Sequence, residues 1–302
     1  SRVALGCWAF AGGRVWGPQD EAESIATVAA ALDAGVNFFD TAEGYGDGAS
    51  EAVLGRALAG RRHEAVIATK VSRRHLSGDE VQRACERSLR LLQTDYIDLY
   101  QIHWPSRTVP LDETMEALER LREQGKVRAI GVCNFGVGDL ADMAEIGRVE
   151  TNQVPYSLLW RAIEYEIRER CVDAGMGILP YSPLAQGLLT GKFGPDHQFN
   201  PGDHRAKSRL FQPDNYLRVQ QALMRIRPIA ETYDCSLGQL ALAWVISHAN
   251  TCAIAGARNA RQELQNAAAA EIDLTTEDLV ALDVIGRSVT DHLDDNPVLW
   301  KF

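Results

Sequence analysis

Short apolar runs alternate with amphipathic stretches from one end of the chain to the other. The apolar runs predict strands at 3–6, 37–40, 65–70, 96–102, 128–132, 149–152, 177–181 and 252–255. Helical periods between them predict helices at 20–34, 50–60, 78–92, 112–125, 138–146, 161–174, 216–248 with a break near 235, and 260–270. Gly35, Gly60, Gly125 and Gly175 stand where a glycine ends a helix, and Asp20, Ser50 and Asp112 stand as N-caps. Eight strand–helix units in 302 residues match a (β/α)8 TIM barrel. The competing doubly wound sheet lacks its signatures: no G-x-G-x-x-G follows any strand, and no G-x-x-x-x-G-K-[ST] occurs. No composition break divides the chain, so 1–302 is read as a single domain. The segment 184–215 is too long for a simple connection, and loops of that length are usually functional. The segment 275–288 reads as an extra helix after the eighth unit, followed by a short tail.

Composition narrows the partners. The formal net charge is −10, with a sequence pI near 5.2. General binding to nucleic acid or an anionic membrane needs a basic field and is not expected; a phosphate ligand must be held by a local cluster. The six cysteines are spread singly, without a C-x-x-C pair, and read as reduced thiols. No apolar run approaches the ~18 residues of a membrane span, and the opening "SRVALGCWAF" carries no signal-peptide pattern. The expected setting is cytoplasmic.

The candidate chemistry lies at strand ends. In a TIM barrel the C-terminal ends of the strands converge on the active face. The second strand ends on Asp40, and its glycine-rich loop, within "FFDTAEGYGDG", carries Tyr45. The third ends on Lys70 and the fourth reaches His103. Taken singly, these are a solvated lysine, a packed histidine and a turn aromatic; together they are ionisable groups that partner one another. A phenol with a pKa near ~10 is a poor acid at neutral pH. A nearby ammonium lowers that value, and Asp40 would hold Lys70 charged and oriented. Tyr45 then serves as proton donor, and His103 orients a carbonyl oxygen or shares in the proton transfer. No nucleophile stands with its base, and no metal-ligand spacing occurs. A lone acid for a developing alkoxide implies a hydride from elsewhere.

The motifs "DTAEGYG", "ATKV", "QIHWP", "GVCNFG", "TNQVPYSLL", "YSPLAQGLLTGK" and "IAGARNARQELQNAAAA" stand in the order found in the aldo-keto reductase superfamily, which the chain resembles over nearly its whole length. The resemblance implies an NADPH-dependent enzyme that reduces aldehydes and ketones, or runs in reverse on alcohols or sugars. Asp40, Tyr45, Lys70 and His103 then form the catalytic tetrad, with Tyr45 as general acid. Asn134 and Gln153, ending strands five and six, match the residues that bind the nicotinamide carboxamide, and Tyr181 matches the ring stacked on it. Trp8 is also placed at the cofactor. Ser182, Pro183, Leu184, Gly187, Leu189 and Lys192 match the loop around the pyrophosphate, with Arg205 joining it. Gly256 and Arg258 follow on strand eight, Arg258 at the 2′-phosphate position, and Gln262 and Asn266 match the adenine contacts. Trp8, Phe10, Trp16 and Trp104, with Tyr45 and His103, are expected to line an apolar, aromatic substrate pocket.

Two departures from the family pattern stand out. Cys133 replaces the usual serine before Asn134, and the chain starts almost directly in strand one, where members usually begin with a hairpin. The second functional reading is a regulatory or redox-sensing subunit that binds NADPH with little turnover, as in potassium-channel β subunits. The expected partner is a small molecule, and the expected assembly a monomer or weak homo-oligomer.

Overall fold

The computed structural model describes residues 1–200 and 203–298. Eight parallel strands close into a barrel in chain order: β1 (Val3–Gly6), β2 (Phe38–Asp40), β3 (Val66–Val71), β4 (Ile97–Ile102), β5 (Val127–Cys133), β6 (Thr151–Pro155), β7 (Gly177–Tyr181) and β8 (Ala253–Gly256). Pairing of β1 with β8, Val3 opposite Ala253 through Gly6 opposite Gly256, seals the sheet. Around it lie α2 (Glu21–Asp33), α3 (Ala49–Ala57), α4 (Gly78–Leu91), α5 (Leu111–Glu123), α6 (Val137–Ile146), α7 (Ile167–Asp173), α8 (Pro213–Thr232), α9 (Leu237–Ile246), α10 (Ala260–Ala267) and α11 (Thr276–Thr290); a one-turn α1 (Gly13–Trp16) precedes them in the loop after β1. Among the described residues, no helix is long and apolar enough to cross a membrane.

The main hydrophobic core fills the layer between strands and helices. A second cluster, Ala4, Ala68, Leu99, Leu179 and Ile254, forms the floor inside the barrel. Side chains alternate along a strand, so the residues two positions on share that inner face: Gly6, Lys70, Gln101, Tyr181 and Gly256. Apolar residues thus close the barrel below, and polar ones stand above them. Gly131 makes room for this layer. A Cβ there would collide with Thr151 Oγ1 and crowd Gln101 and Leu99 at 3.1 Å.

Several expected boundaries shift. Strand six runs over Thr151–Pro155 rather than 149–152; Val149 is buried but lies before the strand, and Gln153 therefore sits within β6 and not at its end. The helix expected over 161–174 breaks into a 3-10 turn, Ala162–Glu164, and α7, because Glu164 is tied back to Arg161 and to the Tyr156 hydroxyl. The break near 235 is present, between α8 and α9, where Ser236 caps α9. Asp20 caps α2 through Glu23 N at 3.0 Å. Ser50 does not cap α3: Gly48 does, while the buried Ser50 hydroxyl donates to Cys7 O at 2.7 Å and accepts from Thr41 at 2.9 Å. Asp112 lies inside α5, whose N-cap is Pro110. All six cysteines are free thiols.

Candidate active site

Asp40, at the end of β2, is 3% exposed, and Lys70, near the end of β3, is fully buried. Their side chains meet at 2.6 Å. Lys70 Nζ also donates to Thr41 O at 2.8 Å and approaches the Tyr45 hydroxyl at 3.3 Å. The other Asp40 oxygen accepts from Gln153 Nε2 at 2.8 Å and faces Gln101 Nε2 at 3.5 Å. A buried carboxylate is thereby matched by a cation and two amides, as burial of charge requires.

Electrostatics follow from that arrangement. Burial acts against the Lys70 charge, but the Asp40 carboxylate, with Tyr45, outweighs it and leaves the ammonium held more firmly than usual. Burial pushes the Tyr45 phenol up to about 12, and the Lys70 charge pulls it back only in part. The expected lysine effect is present, but burial outweighs it, so the net direction is the reverse of that expected from sequence. Burial, and then the Lys70 charge, lower His103 to about 3. His103 is thus neutral at physiological pH and can donate one hydrogen bond without carrying charge.

Above this relay lies a run of rings. Trp8 stacks on Tyr45 with centroids 5.3 Å apart, and Trp16 meets Trp8 edge-on at 5.6 Å. His103 stands edge-on to Tyr45 at 5.8 Å and stacks on Trp104 at 6.5 Å. Phe10, expected in this group, instead points into the main core at 5% exposure.

The expected cofactor residues lie around the same rim. Asn134, just past β5 and in left-handed conformation, donates to His103 O at 3.1 Å and accepts from the Tyr181 hydroxyl at 2.9 Å. Its amide ties β4, β5 and β7 together. After β7, Ser182, Ala185, Gln186 and Gly187 all have positive φ. A Cβ on Gly187, at φ +93°, would meet Lys192 Cε at 2.8 Å, so glycine lets the lysine stem lie against the turn. Both polar atoms of the Gln186 side chain are buried without a hydrogen-bond partner among the described residues. Orphaned amide groups in a tightly curved loop beside Lys192 fit a polar ligand such as a dinucleotide pyrophosphate. Leu184 packs partly against the core and Pro183 is buried. Leu189 is committed elsewhere: its side chain is in the core and its amide donates to Leu184 O, so it shapes the loop from behind. Arg205 is gripped by Asp203 at 2.6 Å and lies over Phe193 and Phe199.

At β8 the chain turns into α10. Arg258 Nε donates to Gln19 Oε1 at 2.9 Å, and a terminal amine donates to Pro18 O. Gln262 accepts from Arg258 N at 2.9 Å, and Asn266 reaches Gly256 O at 3.4 Å. Both amides, placed on one face of α10 as expected, brace the loop that holds Arg258.

Sequence reasoning missed Gln101 and Gln19, and it covered Gln186 only as part of the 182–192 loop without singling it out. Gln101 was available as the inward partner of Leu99 and His103 in the alternation of "YIDLYQIHWP". The other two lie in loops, where no period marks them.

The model of the aldo/keto reductase family matches residues 2–287. The NADH-specific methylglyoxal reductase of Escherichia coli (strain K12) is 35% identical, over 92% of this chain and 92% of that protein. Among solved structures, an aldo-keto reductase from Klebsiella pneumoniae in complex with NADPH superposes with a TM-score of 0.78 at 34% identity, covering 94% of this chain and 90% of that one. The glycerol dehydrogenase AKR11B4 from Gluconobacter oxydans superposes with a TM-score of 0.89 at 34% identity, covering 100% and 95%.

Proposed function

The chain belongs to the aldo/keto reductase family and is an NAD(P)H-dependent oxidoreductase, and from that premise we propose that it reduces aldehydes and ketones with Tyr45 as the proton donor. The observation that carries this reading is the buried Asp40–Lys70 pair with Lys70 Nζ 3.3 Å from the Tyr45 hydroxyl. When bound, a reduced nicotinamide would supply the hydride for the carbonyl carbon. Neutral His103 holds the carbonyl oxygen beside Tyr45, and the phenol gives its proton to that oxygen as negative charge develops there. The Lys70 ammonium, kept charged by Asp40, stabilises the phenolate left behind. Ser182, Gln186 and Lys192 would hold the pyrophosphate. Arg258 would hold the extra phosphate of NADPH, and Asn134, Gln153 and Tyr181 the nicotinamide. The names of the relatives, a methylglyoxal reductase and a glycerol dehydrogenase, support small carbonyls as substrates, with alcohol oxidation as the reverse reaction.

The test is Tyr45→Phe, which keeps the stacked ring and removes the proton. Loss of a general acid costs about 10²–10⁴ in rate, so reduction of methylglyoxal should fall by that factor while NADPH still quenches protein fluorescence. Near-wild-type kcat with the chemical step limiting would overturn the assignment. The pH profile is a second arm. A phenol at about 12 stays protonated through the neutral range, so reduction should show no loss from Tyr45 ionisation between roughly pH 6 and 9. Oxidation of an alcohol, which needs the phenolate, should keep rising with pH.

A further inference from the structure

We propose that Gln19 is a positioning residue that couples the phosphate end of the cofactor groove to the loop over the carbonyl site. The enzyme holding the cofactor with the extra phosphate would then bind the carbonyl substrate more tightly than the enzyme holding the one without it. The proposal rests on the reading of Arg258 as the phosphate ligand.

One carboxamide touches Arg258 twice. Gln19 Oε1 accepts from Arg258 Nε at 2.9 Å, and Gln19 Nε2 donates to Arg258 O at 2.9 Å. The neighbouring Pro18 O accepts from a terminal amine of the same guanidinium. Head and backbone of the arginine are therefore fixed by one short segment that arrives from the far side of the β1–β8 seam. A guanidinium has five N–H donors in a rigid fork. With Nε and one terminal amine engaged, the other terminal amine has no partner among the described residues, and the plane of the fork is set before any ligand arrives.

The segment that sets it is the one that carries Trp16. Among the described residues, the hydrogen bonds of Pro18 and Gln19 reach Asp20 and Ser24 at the start of α2 and, beyond that local anchor, Arg258. Trp16 in turn stands against Trp8, which stacks on Tyr45. Arg258 is thus a distant hydrogen-bonding tether of a loop whose other end forms the aromatic wall beside the proton donor. A phosphate that immobilises Arg258 immobilises the loop as well, and coupling of this kind is reciprocal. A net hydrogen bond changes an equilibrium by about three- to tenfold, which sets the scale.

The experiment measures the Michaelis constant for methylglyoxal with each cofactor at saturation, together with cofactor titrations by fluorescence quenching. In the wild type the constant should be about three- to tenfold lower with NADPH than with NADH. Gln19→Met, similar in length but without the hydrogen bonds, should bring that ratio close to one. Arg258→Lys keeps a cation but cannot make both contacts, so it should retain most of the NADPH preference in the titration and still lose the ratio. A wild-type ratio near one, or a ratio that survives in Gln19→Met, overturns the coupling. Failure of the underlying reading looks different: NADPH and NADH would then lose affinity equally in Arg258→Ala.

Discussion

Asp40 and Glu263 are both carboxylates at the edge of the barrel, with 3% and 0% of their surface exposed, yet their surroundings differ. Asp40 meets Lys70 at 2.6 Å and Gln153 at 2.8 Å. Neither oxygen of Glu263, on α10, has a partner in hydrogen-bond geometry among the described residues. Burial raises its carboxyl to about 7, against the opposing pull of the neighbouring Asn266 amide. The cations differ in the same way: Lys70 faces a carboxylate, whereas Arg258 is held by the neutral Gln19 amide and Pro18 carbonyl. The groups proposed for catalysis, which must keep one protonation state and one geometry, are compensated inside the protein. The β8–α10 end leaves charge uncompensated, which suits a place where an anion is to bind, and it carries an unpaired carboxylate at a cost in stability.

The largest way to break this contrast is Lys70→Met, which leaves Asp40 in the position of Glu263. Removing one partner of a buried ion pair costs about 3–5 kcal/mol, so urea unfolding at neutral pH should show a loss of that order, with carbonyl reduction abolished. Losing the ammonium also removes the influence that pulls Tyr45 downward. The double variant Asp40→Asn/Lys70→Met should recover much of the stability and none of the activity. A single variant with wild-type stability would mean that the pair contributes nothing to the fold.

Glu263→Leu works from the other side. An unfolded glutamate releases its proton near 4.5, while the folded one holds it to about 7. Between those values the unfolded chain ionises first, so Glu263 removes stability as pH rises through that window and keeps the full penalty above it, about 3 kcal/mol. Thermal melts of Glu263→Leu should therefore show a gain over wild type that is larger at pH 8 than at pH 4.5. A gain independent of pH would place the effect in packing and not in ionisation.

How much of this was legible beforehand depends on the kind of signal. Asp40, Lys70 and His103 are readable because strand alternation and strand ends are periodic features, and the barrel rule brings them to one rim. Gln101 and Gly131 obey the same alternation, but their meaning depends on how closely β4, β5 and β6 approach, which no single strand encodes. Glu263 is hidden for the opposite reason: a charged residue in a polar helix reads as exposed, and only the packing of α10 onto the barrel buries it. The Gln19–Arg258 contact joins residues 239 apart across the β1–β8 seam, where nothing in the local sequence of either loop announces the other. Asp20 as a cap was a local matter and was readable; Ser50 failed as one because its hydroxyl is claimed by Cys7 O, a contact from another element.

The smallest effects test whether compensation decides which arginine reads the cofactor. Arg205 lies in the long loop after β7, but Asp203 grips it through both carboxylate oxygens, at 2.6 to 3.2 Å. Its charge is largely cancelled for a ligand, and holding it against the carboxylate competes with any phosphate. Among the described residues Arg258 has only neutral partners, which leaves its charge available, and a guanidinium can meet a phosphate with two parallel bonds. Charge-assisted hydrogen bonds are worth roughly 1.5–3 kcal/mol. Arg258→Ala should therefore weaken NADPH about ten- to a hundredfold and NADH little, since NADH lacks the phosphate. Arg205→Ala should weaken both cofactors alike, by less than about threefold, on the scale of a surface ion pair. Fluorescence titration of the two variants with both cofactors decides it. A larger or more NADPH-selective loss in Arg205→Ala would show that the ion pair with Asp203 opens on binding, and that the arginine compensated in the free protein is the one that reads the phosphate.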